Sequence, residues 1–224
     1  MRTSAKLCFT ALAAAILLAS AVSTASAGRL SVSNQQIRTV WSSLEFVGTA
    51  TIRCRLTLEG SFHSRTITKI RETLIGHITN ARFNACTGGR AWAANGVEVA
   101  PLGRLNNTLP WHITYEAFEG TLPAIEAVRL LLRRIRFVLE AVVFGLTCRG
   151  IYGNDTDRIS GRATVGAGGA IETLSPISGR NSLNLVAQLG PNNACPGTGT
   201  FRGPAGDGRV TLLNSTTRIT VTLI

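Results

Sequence analysis

Three histidines, His63, His77 and His112, and 12 acidic residues are the groups in this 224-residue chain that could move protons or hold a metal. His63 and His112 fall on the wet side of segments that read as strands, and His77 follows Gly76. Paired with Glu59 or Glu116, His63 and His112 would form a zinc site or an acid–base pair. No His-x-x-x-His spacing occurs, which favours three unrelated surface histidines. Aspartate is confined to Asp155, Asp157 and Asp207, so a two-carboxylate glycosidase would draw mainly on glutamates, and no spacing singles out two of them. Without a Gly-x-Ser-x-Gly elbow a serine hydrolase has no starting point. Asn154-Asp155-Thr156-Asp157 presents alternating oxygens suited to calcium, but the rest of a calcium loop is missing and a solvated turn is the simpler reading. Gly166, Gly168 and Gly169 lack the Lys-Ser/Thr of a phosphate loop. No catalytic residue, metal ligand or cofactor is therefore expected.

Arg129, Arg133, Arg134 and Arg136 are the one dense basic cluster. No acid lies between Glu126 and Glu140 to offset it, so it could take an anionic polymer or an anionic membrane surface. The bland reading is the polar face of an amphipathic segment. Aromatics that stack bases are not interleaved with it apart from Phe137, so sequence-specific nucleic-acid recognition is not expected.

The elements that must position these groups are strands. From Thr51 to His63, Ile52, Cys54, Leu56, Leu58, Gly60 and Phe62 alternate with polar residues, the pattern of a strand with one buried and one wet face. Segments 28–36, 39–47, 96–100 and 109–115 read as further strands, with a turn at Gly88-Gly89 and a loop over 102–108. Two stretches are ambiguous. Ile67, Ile70, Leu74 and Ile78 have near-helical spacing, so a short helix is allowed over 64–78. Ile125 to Val142 also shows helical spacing, so 124–143 reads either as an amphipathic helix or as two strands separated by Arg133-Arg134. Glycine-rich sequence from Gly150 to Gly208 suits short strands joined by turns, and the chain ends in an expected hairpin of Val210–Leu213 and Thr217–Ile224.

Arg2 and Lys6, the apolar run Leu7–Val22 and Ala25-Ser26-Ala27 form a secretory leader over 1–27, leaving a mature chain of 28–224 that is read as one β-rich domain. Loss of Arg2 and Lys6 lowers the formal charge from +11 to +9, which favours polyanionic partners. Four mature cysteines in an exported chain imply disulfides, and three pairings are open. Cys54–Cys86 and Cys148–Cys195 are preferred because each joins neighbouring segments. No transmembrane span remains after cleavage, and the cysteines, uneven strand spacing and final isoleucine argue against an outer-membrane barrel. The predicted fold is all-β: a disulfide-pinned antiparallel sandwich or barrel-like domain.

Cys54 with Leu58-Glu59-Gly60-Ser61-Phe62-His63, Cys86, Leu109-Pro110-Trp111-His112, Phe118 with Gly120-Thr121-Leu122-Pro123, and the terminal Ile219-Thr220-Val221-Thr222-Leu223-Ile224 resemble secreted actinobacterial proteins of unknown function. The order of cysteine, strand, glycine, cysteine and Leu-Pro-Trp is more distantly similar to the secreted alkane-oxidation protein activator family. The resemblance implies strands over 122–148 and carries no catalytic residue across. The expected function is a non-catalytic exported protein with a structural or binding role at or outside the cell envelope, with anionic polymers or surfaces as candidate partners. A secreted hydrolase acting on an extracellular polymer is the alternative.

Overall fold

A computed structural model describes residues 29–94, 97–99, 103–105, 108–121, 123–189 and 195–224. The leader read over 1–27 lies outside the described residues. The first part of the chain forms β1 (Arg29–Val32), β2 (Gln36–Val47), β3 (Thr51–Phe62), β4 (Thr66–Thr68), β5 (Leu74–Thr87) and β6 (Arg90–Ala93). Then follow β7 (Val97–Val99), β8 (Gly103–Leu105), β9 (Trp111–Glu119), β10 (Ala127–Arg133), β11 (Phe137–Val143) and β12 (Leu146–Tyr152). The last third holds β13 (Arg158–Val165), β14 (Ile171–Pro176), β15 (Ser182–Gln188), β16 (Thr198–Arg202), β17 (Arg209–Leu212) and β18 (Val221–Leu223).

Eight of these strands close into an antiparallel barrel in the order β2, β3, β5, β9, β10, β13, β14, β17. Closure comes from β17 pairing with the first half of β2, Arg209 opposite Val40 and Leu212 opposite Ile37. The alternation of β3 persists in space: Ile52, Cys54, Leu56, Leu58 and Phe62 are buried, whereas Arg53 and Arg55 are exposed. β2, β3 and β5 are 12, 12 and 14 residues long. At about 3.4 Å per residue they span roughly 40–48 Å, longer than the barrel strands opposite them. The overhanging end of β2 pairs with β16, and the sheet continues through β15, β12 and β11 to β6. A second lobe is therefore built on the surplus length of the barrel's own strands. Its centre is aromatic, with Phe46 edge-on to Phe137, Tyr152 and Phe201 at centroid distances of 5.9, 4.9 and 5.7 Å. Val138, Ile151 and Ala94 form a smaller buried cluster of their own. β18, β1 and β4 make a separate three-stranded sheet whose Leu30, Val32, Ile67 and Val221 join the main core.

Both preferred disulfides are present, Cys54–Cys86 and Cys148–Cys195. Two such bridges, each with one buried cysteine, belong to an oxidising compartment. Neither ambiguous stretch is helical. Over 64–78 the chain makes β4, reverses at Glu72 with φ of 65°, and enters β5. A left-handed residue ends any helix there. Ile67 is buried on the small sheet while Ile70 is 64% exposed, so their helical spacing is coincidental. Over 124–143 the chain makes β10 and β11, joined through Arg134 at φ 57°. β10 is covered on both faces. Leu130 and Leu132 point into the barrel, and Leu131 lies outside it beside Ser160, buried at 2% exposure. A strand buried on both sides reads as a continuous apolar run, which is how it imitates an amphipathic helix. Two smaller expectations also change. The 102–108 loop contains β8, paired with β7, and the terminal strand leaves β17 to pair with β1, Leu30 opposite Leu223.

Candidate functional site

The barrel interior is lined by apolar side chains around a cavity of about 70 Å³. Ile37, Trp41, Leu56, Leu58, Trp111, Ile113, Leu130, Leu132, Ile159 and Leu174 arrive on alternate positions of six strands, and Thr39 brings a hydroxyl. The bulge of β2 between Trp41 and Leu44 keeps both residues inward. Asp207 holds that bulge, accepting from the Ser42 hydroxyl at 2.5 Å and the Ser43 N–H at 3.0 Å. Two tryptophans line the cavity and differ in one respect. Trp41 donates its indole N–H to the Leu174 carbonyl at 2.8 Å. Trp111 is 2% exposed and its Nε1 has no hydrogen-bond partner among the described residues. A buried donor left unsatisfied costs about 1–3 kcal/mol. The apolar wall continues past Leu44, Phe83 and Phe201 into the second lobe, where the same residues line a smaller void with Phe46 and Leu139.

The outside of the barrel carries the polar groups. On β3, β9, β10 and β13 the outward positions include Glu59, His112, Arg129, Arg133, Arg158 and Arg162. An apolar interior with charged outer rows is the reverse of the arrangement a lipid-embedded barrel requires.

His63, His77 and His112, expected to be unrelated, stand together. His77 on β5 lies opposite Ser61 on one side and His112 of β9 on the other. His63, one residue beyond β3, brings its Nε2 to 2.8 Å from Nδ1 of His77. Ring centroids are 4.5 Å apart for His63 and His77 and 5.0 Å for His77 and His112. A Cβ on Gly60 would collide with the His77 carbonyl oxygen and one on Gly76 with that of Ser61. Only glycine lets β3 and β5 approach this closely beneath the histidines. Burial, then the neighbouring charge of His63, lowers the pKa of His77. Burial comes first for His112 too, followed by Arg134 and the other two histidines, against which Asp155 pulls the other way.

The glutamates proposed as histidine partners are elsewhere engaged. Glu59 accepts from Asn80 at 2.8 Å and faces Arg82 and Arg38 at 3.5 and 3.7 Å. Glu116 is buried, accepting from Ser160 and ion-pairing with Arg180, both at 2.8 Å. The arginine cluster is likewise dispersed. Arg133 and Arg158 share Glu72, Arg129 and Arg162 share Glu119, and Arg136 meets Asp155 at 3.3 Å. Of the four, Arg134 alone has no acid partner among the described residues. The calcium candidate is a structural clasp. Asp157 accepts from the backbone N–H of Asn154 and from both the backbone and side chain of Asn184, and the Asn154 carbonyl oxygen of the amide closes the turn on Thr156 and Asp157.

A different basic surface went unnoticed in the sequence. Arg38, Arg55 and Arg209, from β2, β3 and β17, border an outer groove of about 610 Å³ with Ser42, Asp207 and Thr211. Arg38 and Arg55 come together through the β2–β3 pairing, and barrel closure adds Arg209 from β17. No protein-family model matches the chain, and neither a curated protein nor a solved structure matches it.

Proposed function

We propose that this is a non-catalytic exported binding protein, acting at or outside the cell envelope, whose barrel takes a small, mainly apolar molecule bearing one hydrogen-bond acceptor. The buried N–H of Trp111, without a partner among the described residues, on a side chain that lines a cavity whose other walls are apolar apart from Thr39, carries this reading. Water is a poor occupant there, since a buried water typically makes about three hydrogen bonds. A carbonyl or ether oxygen needs one, and its hydrocarbon body takes the aliphatic wall. The cavity is about half the ~150 Å³ that admits benzene in an engineered apolar site, so the ligand is small or the wall yields to it. No relative lends a function. Against a hydrolase, Glu59, Glu72, Glu116 and Glu119 are each held by arginine rather than converging on a reactive centre.

Titrating the protein with cyclohexanone and with cyclohexane tests the assignment. Cyclohexanone is expected to shift the Trp111 indole N–H resonance and to bind about fivefold more weakly to Trp111→Phe, the loss of one hydrogen bond. Leu132→Phe, which grows into the cavity, is expected to abolish uptake of both. An indole resonance unmoved by saturating ketone defeats the reading.

The Arg38–Arg55–Arg209 groove favours a second reading, an anionic envelope polymer as partner. Arg55 and Arg209 have no acid partner among the described residues, which leaves their charge available. Arg55→Ser/Arg209→Ser is expected to leave heparin at lower salt than the wild type, and elution at unchanged salt removes the groove from consideration.

A further inference from the structure

The three histidines have a use that neither reading above requires. They sit on β3, β5 and β9 or directly beyond, adjacent strands of the closed barrel, so their backbones are fixed by ladders on both sides of β5. Borderline divalent metals are bound by neutral imidazole nitrogen at about 2.0–2.1 Å. Two imidazoles on one tetrahedral ion have donor atoms about 3.3 Å apart and ring centroids about 5 Å apart. The observed centroid separations, 4.5 and 5.0 Å, match that spacing on both sides of His77. The His63–His77 nitrogen separation of 2.8 Å is that of a shared proton. Exchanging the proton for an ion asks the two donors to part by about half an ångström, within side-chain rotation at an exposed His63. As the rings stand, no three such donors converge on one point among the described residues, and a three-ligand site therefore requires the His112 ring to turn toward His77.

We propose that His63, His77 and His112 form a binding site for a divalent transition-metal ion of the zinc, nickel or copper class, with His77 as the central ligand. The surroundings fix its character. Arg134 repels a cation from the His112 side, while Asp155, whose charge reaches His112, opposes that repulsion. Arg133, opposite His112 in register, is paired with Glu72 at 2.8 Å, a carboxylate it shares with Arg158. The site is open to solvent, so water fills the remaining coordination positions and the ion exchanges readily.

The experiment is calorimetric titration of untagged, metal-free protein with zinc chloride and with nickel chloride at pH 7.5. One-to-one binding in the micromolar range is expected, weakened at least thirtyfold in His77→Gln and about tenfold in each of His63→Gln and His112→Gln. An unchanged melting temperature of the metal-free variants shows that the fold persists. Absence of saturable binding below 1 mM, or equal binding by the wild type and His77→Gln, overturns the site. Full affinity in His112→Gln overturns the three-ligand assignment.

Discussion

Replacing Cys148 and Cys195 together by alanine is expected to lower stability by about 4 kcal/mol, the chain-entropy value for a loop of this length. The bridge spans 47 residues. It also secures a specific joint. Cys195 adjoins Pro196, whose carbonyl accepts the Tyr152 hydroxyl at 2.8 Å, and Tyr152 is 1% exposed in the aromatic centre of the second lobe. Its phenol is pushed up to about 12 by burial, so it stays a donor across the physiological range. Without the bridge the 195–197 segment is held by that hydrogen bond and by the one the Leu185 N–H donates to the Gly197 carbonyl at 2.8 Å. Urea denaturation of the double variant, with Cys54–Cys86 intact, measures the loss, and a decrease below 1 kcal/mol would mean that the lobe holds this segment unaided.

The strand character of the chain was legible wherever one face is wet. β3 shows it best, because Arg53 and Arg55 advertise the solvent side while Cys54 and Leu56 mark the core. Legibility failed where both faces are covered. In β10, Leu130, Leu131 and Leu132 are consecutive in sequence yet serve two different layers, the barrel interior and the buried contact with Ser160. Periodicity cannot separate such a run from a helix, since the alternation it depends on has gone. The positive φ at Arg134 decides the matter, and an arginine gives no local warning of it. Closure into a barrel was equally invisible, because the β17–β2 ladder joins residues about 170 positions apart.

The sites followed the same division. Counting acids between Glu126 and Glu140 made the arginine cluster look unopposed, but its counter-charges are Glu72, Glu119 and Asp155, brought in from other strands. The histidines looked unrelated because metal motifs are usually searched along one helix. Across a sheet the relevant spacing is register, and His77 opposite His112 is a register relation with no signature in the linear order. The cysteines were legible because sheet neighbours nearby in sequence offer the shortest loops. Trp111 alternates with His112 on the wet side, which marks it as inward, but nothing in its sequence context distinguishes its buried N–H, unpartnered among the described residues, from the satisfied one of Trp41.

Phe137→Ala is expected to cost about 3–5 kcal/mol, the range for truncating a fully buried aromatic. Phe137 is 0% exposed and stands where barrel and lobe meet, with ring contacts to Phe46, Phe83 and Phe201 at 5.9, 5.9 and 5.0 Å. It lines the barrel cavity as well, so the vacated space adds to a void that already exists and the backbone of β11, paired on both edges, cannot close over it. That geometry predicts a second effect. Benzene is expected to raise the melting temperature of Phe137→Ala by more than that of the wild type, because the enlarged cavity admits the ring without displacing the wall and ligand binding to the folded state stabilises by mass action. Phe144→Ala is the matched control. It removes the same atoms from a side chain that is 90% exposed at the β11–β12 turn, where truncation forfeits no core contact. Equal stability losses for the two variants, or a loss below 1 kcal/mol for Phe137→Ala, would place the junction between barrel and lobe outside the cooperative core.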